Sequence, residues 1–248
     1  LVAPILCDAL KGCVQTLRVA VTEPPVLPFS LPQNRTTPAA KAFLCGEYRA
    51  LQKKIEDISG TEITEETLAR SVRIYNRHRE AMLAFDRTAA DHTDVVTPYV
   101  REAVFRSAWS MEKAEHTAIV GTISAALKTR PVCRKNPVRL ILTGVTGGSL
   151  TFMKLLGEEG IDVVGDHVYQ DSWTYQHAIP EQGNDPIGAL ADHWLLLGGS
   201  CVTHESRRSR GRSVLALAGE RQADAVVLCL MKFCDPEEYE APLLLAEI

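Results

Sequence analysis

Val138-Arg139-Leu140-Ile141-Leu142-Thr143-Gly144, then Gly147-Gly148-Ser149, then Leu150 to Glu158, then Ile161-Asp162-Val163-Val164-Gly165-Asp166: this stretch decides the fold class. The first apolar run reads as a strand and the glycine pair as a turn. The next residues carry a helical pattern closed by Gly160, and the second apolar run reads as another strand. Strand, helix and strand in so short a span call for parallel strands joined by a right-handed crossover. The alternation continues downstream. A polar, aromatic loop is expected from His167 to Asn184, and a helix from Asp185-Pro186 to about Leu197. Ser206 to Arg221 is expected to be helical, and Ala223 to Phe233 reads as the most strongly apolar strand. Strands alternating with helices imply a parallel sheet.

The N-terminal end has the same grammar. Leu1 to Leu6 reads as a strand, Ala9 to about Ala20 as a helix ended by Pro24-Pro25, and Val26-Leu27-Pro28-Phe29 as an extended piece whose prolines suit an edge. From Thr36 to about Thr129 every periodic stretch is helical. Thr37-Pro38 opens a helix that Gly60 stops, and Thr64 with Glu65 and Glu66 opens the next. A third is expected from about Pro98 to Ala108, and a fourth, capped by Ser110, to about Lys128. The expectation is an α/β chain with two parallel-sheet (Rossmann-like) domains, the first incomplete, joined by a helical segment. Residues 1–35 are the C-terminal part of the first α/β domain, 36–130 the helical segment and 131–248 the second α/β domain. Leu1 opens directly into a strand-like run and Ile248 closely follows a helix-like one, so both ends read as cut from a longer protein.

The 248 residues are 46% hydrophobic, enough for a sizeable core, and the net charge of −4 argues against a general nucleic-acid binder. Seven cysteines, an odd number without a small-domain spacing, read as reduced intracellular thiols. No apolar run is long enough for a bilayer and no charged leader precedes Cys7, so the expected place is the cytoplasm.

Two apolar runs end alike: Leu1 to Leu6 meets Cys7-Asp8, and Ala225 to Phe233 meets Cys234-Asp235. Both thiols would lie at C-terminal ends of strands, where open α/β sheets build their sites, with the Asp available to cap the following helix. A thiol at a helix N-terminus ionises more readily, and the thiolate is the metal-binding form. Cys7 and Cys234 are therefore metal-ligand candidates; two buried structural thiols are the alternative. Cys229, an odd number of residues before Cys234, is expected on the opposite face of its strand. Cys13 should point away on its helix, and Cys45, Cys133 and Cys201 read as core or surface thiols.

Other features are less specific. Gly144-Val145-Thr146-Gly147-Gly148 with Asp166 has the context of a dinucleotide fingerprint but the wrong glycine spacing, so a tight strand-to-helix turn is favoured. No phosphate-binding G-x-x-x-x-G-K-[ST] occurs. His78, His116 and His193 are expected on helices, partly exposed. His167 and His177 flank Ser172, Trp173 and Tyr175 in a loop that is either a pocket wall or solvated. Arg207-Arg208-Ser209-Arg210-Gly211-Arg212 is either a solvated helix start or a surface for an acyl-CoA phosphate or acidic partner. No catalytic residue can be named.

Ala223 to Leu228 through Lys232-Phe233-Cys234-Asp235-Pro236-Glu237-Glu238-Tyr239, with Pro242-Leu243-Leu244, resembles the third cluster-ligand motif of the 2-hydroxyacyl-CoA dehydratase and benzoyl-CoA reductase family. Cys7-Asp8-Ala9-Leu10-Lys11-Gly12 resembles that family's second cysteine motif. Ser59 to Thr64 with Leu68, Tyr75-Asn76 and Arg79 is similar to its helical domain, and Arg139 to Gly144 with Val163 to Asp166 to the start of its last α/β domain. The resemblance implies a [4Fe-4S] cluster with Cys7 and Cys234 as ligands and a third ligand from elsewhere. It implies a subunit of an oxygen-sensitive dehydratase, a carbon–oxygen lyase that eliminates water from a 2-hydroxyacyl-CoA to give an enoyl-CoA through a ketyl radical. The implied partners are the acyl-CoA substrate, a second homologous subunit and an ATP-hydrolysing activator protein, with no nucleic acid and no membrane. Lys232 before the Phe-Cys-Asp-Pro motif leans toward the dehydratases. The alternatives are a benzoyl-CoA reductase-type or related electron-transfer subunit, and a non-catalytic partner subunit.

Overall fold

At the N-terminus Leu1 donates its ammonium to the Pro25 carbonyl (2.9 Å), which starts a parallel pairing of β1 (Val2–Ile5) with β2 (Leu27–Ser30). The crossover between them is α1 (Asp8–Ala20). Thr37 is the N-cap of α2 (Pro38–Ser59), with Pro38 in the first turn; Gly60 ends the helix at φ 66°, the left-handed region that favours glycine. The Thr64 hydroxyl accepts from the Thr67 amide ahead of α3 (Glu65–Ala89). Then come α4 (Pro98–Ser107), α5 (Lys113–Lys128), β3 (Val138–Gly144), α6 (Leu150–Glu158), β4 (Ile161–Val168) and a 3-10 turn at Ser172–Tyr175. The chain closes with α7 (Pro186–Leu196), α8 (Ser209–Arg221), β5 (Ala225–Cys229) and α9 (Asp235–Glu247). The computed structural model describes residues 1–201, 203 and 209–248. Ser206, Arg207 and Arg208, where the sequence puts the start of a helix and of the basic run, lie outside the described residues.

The described residues form a mixed α/β chain with two short parallel sheets, one of order β1-β2 and one of order β4-β3-β5. Two units are distinct. One comprises Leu1–Arg73 with Ile179–Leu197; its core joins Phe29, Leu44, Cys45, Ile187 and Ala191, with Tyr48, Leu51 and Trp194 packed around them. The other comprises Ile74–Ala178, Gly198–Cys201 and the C-terminal elements. Its sheet is apolar on both faces. Leu140, Leu142, Val163 and Val168 pack against Met153 and Leu156 of α6, and Ile141 and Val164 against Val214 of α8. That double burial is why β3 and β4 carry consecutive apolar residues, Leu140-Ile141-Leu142 and Val163-Val164, instead of an apolar–polar alternation. A separate cluster of Met82, Phe85, Phe105, Val120, Leu127 and Tyr175 ties α3, α4 and α5 to the 3-10 turn.

Several local expectations are corrected. Glu112, not Ser110, caps α5, its carboxylate accepting from the Ala114 and Glu115 amides (2.7 and 3.1 Å). β4 runs on through His167 to Val168, so the polar loop begins later. β5 stops at Cys229 because the Met231 amide bonds to the Glu237 carboxylate (2.9 Å) and Phe233 takes φ 64°, both incompatible with a ladder.

Candidate functional site

The two Cys-Asp positions share one local design. Cys7 is the N-cap of α1, extended at φ −141°, and its carbonyl accepts the Lys11 amide (2.9 Å) to open the helix. The preceding Leu6 carbonyl accepts from the Gln33 side chain (2.9 Å). Cys234 is the N-cap of α9, and its carbonyl accepts the Glu238 amide (3.0 Å). The cysteines are thus the caps themselves, and Asp8 and Asp235 are the first helical residues, not the caps that the sequence suggested. Each acid still favours its helix, since a negative charge in the first turn meets the positive end of the macrodipole. With β5 ending at Cys229, the alternation argument separating Cys229 from Cys234 does not apply; a turn lies between them.

The turn before Cys234 is closed by the Cys234 amide donating to the Met231 carbonyl (3.0 Å). It faces the C-terminal ends of a parallel sheet, which also carry residues 144–149 and 167–171. Glu237, fully buried, accepts from the Val145 amide (2.8 Å) and the Met231 amide (2.9 Å). Arg210 stands 3.8 Å from it and donates to the Thr143 hydroxyl (3.0 Å). Burial, with Glu237 adding to it, pushes the Cys201 thiol up to about 12. Burial likewise pushes Cys229 up to about 11, with Glu237 next among the causes. Both are poor sources of thiolate at neutral pH.

Beside β4 lies a buried charge network that the sequence did not announce. Arg101 pairs with both Asp86 and Asp166, and Arg221 pairs with Asp86 (2.8 Å). Burial works against the Arg101 charge, but Asp166 and Asp86 outweigh it and raise its pKa. Asp166 also accepts from the Val168 amide (2.9 Å), the Ser172 amide (3.0 Å) and the Ser172 hydroxyl (2.7 Å). An acid so fully engaged is a structural anchor, so the glycine turn above it is the tight strand-to-helix turn. Ser149 caps α6 there, accepting from the Phe152 amide (3.1 Å). Asp171 is 4% exposed; burial first, then Asp166 and Glu102, pushes its carboxyl up to about 8. In the same loop Ser172, Trp173 and Tyr175 are buried, which favours a packed wall over a solvated loop.

His78, His116 and His193 are buried, against the expectation of partial exposure. Periodicity marks the apolar positions of a helix, but it does not reveal two imidazoles satisfying each other: His78 Nε2 lies 2.8 Å from His116 Nδ1, and His116 Nε2 lies 2.9 Å from the Ser107 hydroxyl.

Iron requires several thiolates. None of the seven cysteines is in a disulfide, and no group of three or more Cys, His, Asp and Glu among the described residues is disposed as a metal cage. What the chain does offer is a pair of half-buried cap thiols, Cys7 and Cys234, each at a helix N-terminus beyond a parallel strand. Such donors suit single ligation to a cluster completed by other residues.

A family profile described as 2-hydroxyglutaryl-CoA dehydratase, D-component, matches residues 1–248. The chain belongs to this family. It is 35% identical over 237 residues to the (R)-phenyllactyl-CoA dehydratase beta subunit of Clostridium sporogenes, covering 95% of the chain and 63% of that protein. It is 32% identical to the lactoyl-CoA dehydratase subunit beta of Anaerotignum propionicum, covering 97% and 64%. It is 21% identical to a benzoyl-CoA reductase subunit of Thauera aromatica, covering 97% and 63%. The chain thus spans under two thirds of the length of these relatives. Family members occur in both dehydratases and a reductase, and the two more similar of these three are dehydratase subunits. Among the described residues no helix is long and apolar enough to cross a membrane.

Proposed function

We propose that the chain is part of a subunit of a cytoplasmic, oxygen-sensitive 2-hydroxyacyl-CoA dehydratase that eliminates water from a 2-hydroxyacyl-CoA to give an enoyl-CoA through a ketyl radical. The observation that carries this reading is the family match over all 248 residues, reinforced by dehydratase beta subunits at 35% and 32% identity. Cys7 and Cys234 would hold iron of a [4Fe-4S] cluster as thiolates, with at least one further ligand from another residue. When bound, the cluster supplies one-electron chemistry at the thioester.

The chain's own residues do the positioning. The cap geometry of Cys7 and Cys234 fixes each thiol to a helix start. The buried Arg101–Asp86–Asp166–Arg221 network holds the loop beyond β4 in shape. Asp171 keeps a proton on its carboxyl in that loop at neutral pH. Residues 1–35 would complete an α/β domain begun elsewhere, 36–130 would be a helical segment, and 131–248 a second α/β domain, both sheets Rossmann-like. The partners would be a second homologous subunit, an ATP-hydrolysing activator and the acyl-CoA.

The benzoyl-CoA reductase relative supports a second reading, an aromatic acyl-CoA reductase subunit. Product analysis separates the two. The complete protein, with activator and ATP, is expected to convert a 2-hydroxyacyl-CoA to its enoyl-CoA and leave benzoyl-CoA untouched. Reduction of benzoyl-CoA without dehydration would overturn the first reading.

A further inference from the structure

The turn that presents Cys234 is closed by the Cys234 amide donating to the Met231 carbonyl (3.0 Å). Phe233, next to the thiol, adopts φ 64°, a left-handed conformation that costs a bulky residue about 1–3 kcal/mol; 80% of its surface is exposed, with the Lys232 ammonium 5.0 Å from its ring centre. Leu230 and Met231 are exposed as well. A group outside the turn helps to fix it.

The fixing group is visible in the first turn of α9. Glu237 has no exposed surface, and among the described residues its ion pair with Arg210 is a long one at 3.8 Å, Arg210 making closer bonds to Thr143 and Glu240. Its two carboxylate oxygens divide between two backbone amides. One accepts from Val145, in the turn after β3, and the other from Met231, in the turn after β5. The ends of β3 and β5 lie so close that a Cβ on Gly144 would stand 2.3 Å from the Cys229 carbonyl oxygen. The crevice between adjacent strand ends is where sheets of this kind ordinarily take a ligand. Here the chain's own carboxylate spans it. Met231 in turn accepts the Cys234 amide, so the chain of bonds runs from Val145 through Glu237 and Met231 to the cysteine (2.8, 2.9 and 3.0 Å).

We propose that Glu237 is the positioning residue for Cys234, its carboxylate clamping the turn that carries the thiol to the turn after β3. The role in iron binding rests on the reading of Cys234 as a ligand; the clamp is a property of the folded chain. A glutamine at 237 has only one acceptor oxygen and can serve only one of the two amides. An alanine serves neither and leaves both part-buried amides without their charged acceptor, which is costly.

The test uses the complete protein, first without iron. In the unsubstituted protein the Val145 and Met231 amides are expected to exchange with solvent as slowly as those within β3. Glu237→Ala is expected to speed exchange at both, and alkylation of Cys234 by iodoacetamide, about tenfold or more, while exposed Cys13 reacts unchanged. Glu237→Gln is expected to release one amide and keep the other, and it decides the matter if the alanine variant does not fold. After anaerobic loading with iron and sulfide, the glutamine variant is expected to show altered g-values at near-normal iron content, a change that general loosening of the fold would not produce. Loop-like exchange at Val145 or Met231 in the unsubstituted protein overturns the proposal, as does unchanged Cys234 alkylation in folded Glu237→Ala protein. If Cys234→Ala binds the same iron with the same spectrum, the ligand reading fails, and with it the role in iron binding, while exchange and alkylation still decide the clamp.

Discussion

His78 and His116 show how much chemistry can hide in a residue that sequence periodicity treats as a polar interruption. The Ser107 hydroxyl donates to the Val104 carbonyl (2.8 Å), so it accepts from His116 Nε2; burial lowers the pKa of both rings, and with His116 neutral its Nδ1 accepts from His78 Nε2. Both rings then act as neutral donors in a chain. Burial, then the neighbouring His116 and Lys113, lowers His78 from 6.5 to about 4. The unfolded chain takes up a proton at His78 that the folded one refuses, so this contribution is intact above pH 6.5 and fades as the pH falls toward 4. Thermal melts across that window should show a falling midpoint, and His78→Gln should flatten the dependence. Equal slopes in both proteins would refute the neutral pair. Asp171 has the opposite sign. Its carboxyl stays protonated to about 8 when folded but ionises near 3.8 when unfolded, so its contribution is full below 3.8 and lost as the pH rises through 8. Asp171→Asn, which keeps the neutral shape, should raise stability at pH 8 by about 1–3 kcal/mol and leave it nearly unchanged at acid pH. Chemical denaturation at the two pH values measures this. Neither behaviour was legible in the sequence, because it arises from partners 38 residues away in the histidine pair and from carboxylates brought together only by folding.

At the scale of elements the sequence was far more readable. Pro38, Gly60, Pro186 and Gly160 mark helix starts and stops through rules that need no tertiary contact, and the long apolar runs of β3 and β4 declare a sheet covered on both faces. The misread elements share a cause. β5 looked longer because Leu230, Met231 and Phe233 are apolar, yet the Glu237 carboxylate, in the first turn of the next helix, captures the Met231 amide and bends the chain out of the ladder. Capping went wrong where a glutamate outcompeted a serine and where cysteines took the positions given to aspartates. Gly144 tests the tight seam between β3 and β5. Gly144→Ala drives a Cβ into backbone that cannot move aside, and is expected to cost about 1–3 kcal/mol or more. Gly121→Ala, inside α5 with open space around it, should instead add about 0.5–1 kcal/mol. Denaturation midpoints moving together in the two variants would show that the seam is not tight.

At the scale of the molecule, two short Cys-Asp echoes near the ends of the chain and one Phe-Cys-Asp-Pro motif carried the family reading, and the family match over residues 1–248 agrees with it. The proposed third ligand, acyl pocket and partner surfaces would leave no such local signature, since they would arise between chains or between distant segments. The central claim is that Cys7 and Cys234 are cluster thiolates, and the most direct measurement is iron and sulfide content with the low-temperature electron paramagnetic spectrum of the complete protein after anaerobic loading. The account predicts about four irons per cluster, with the reduced-cluster signal lost or transformed in both Cys7→Ala and Cys234→Ala and untouched in Cys13→Ala. Full iron and an unchanged signal in either of the first two variants would contradict it.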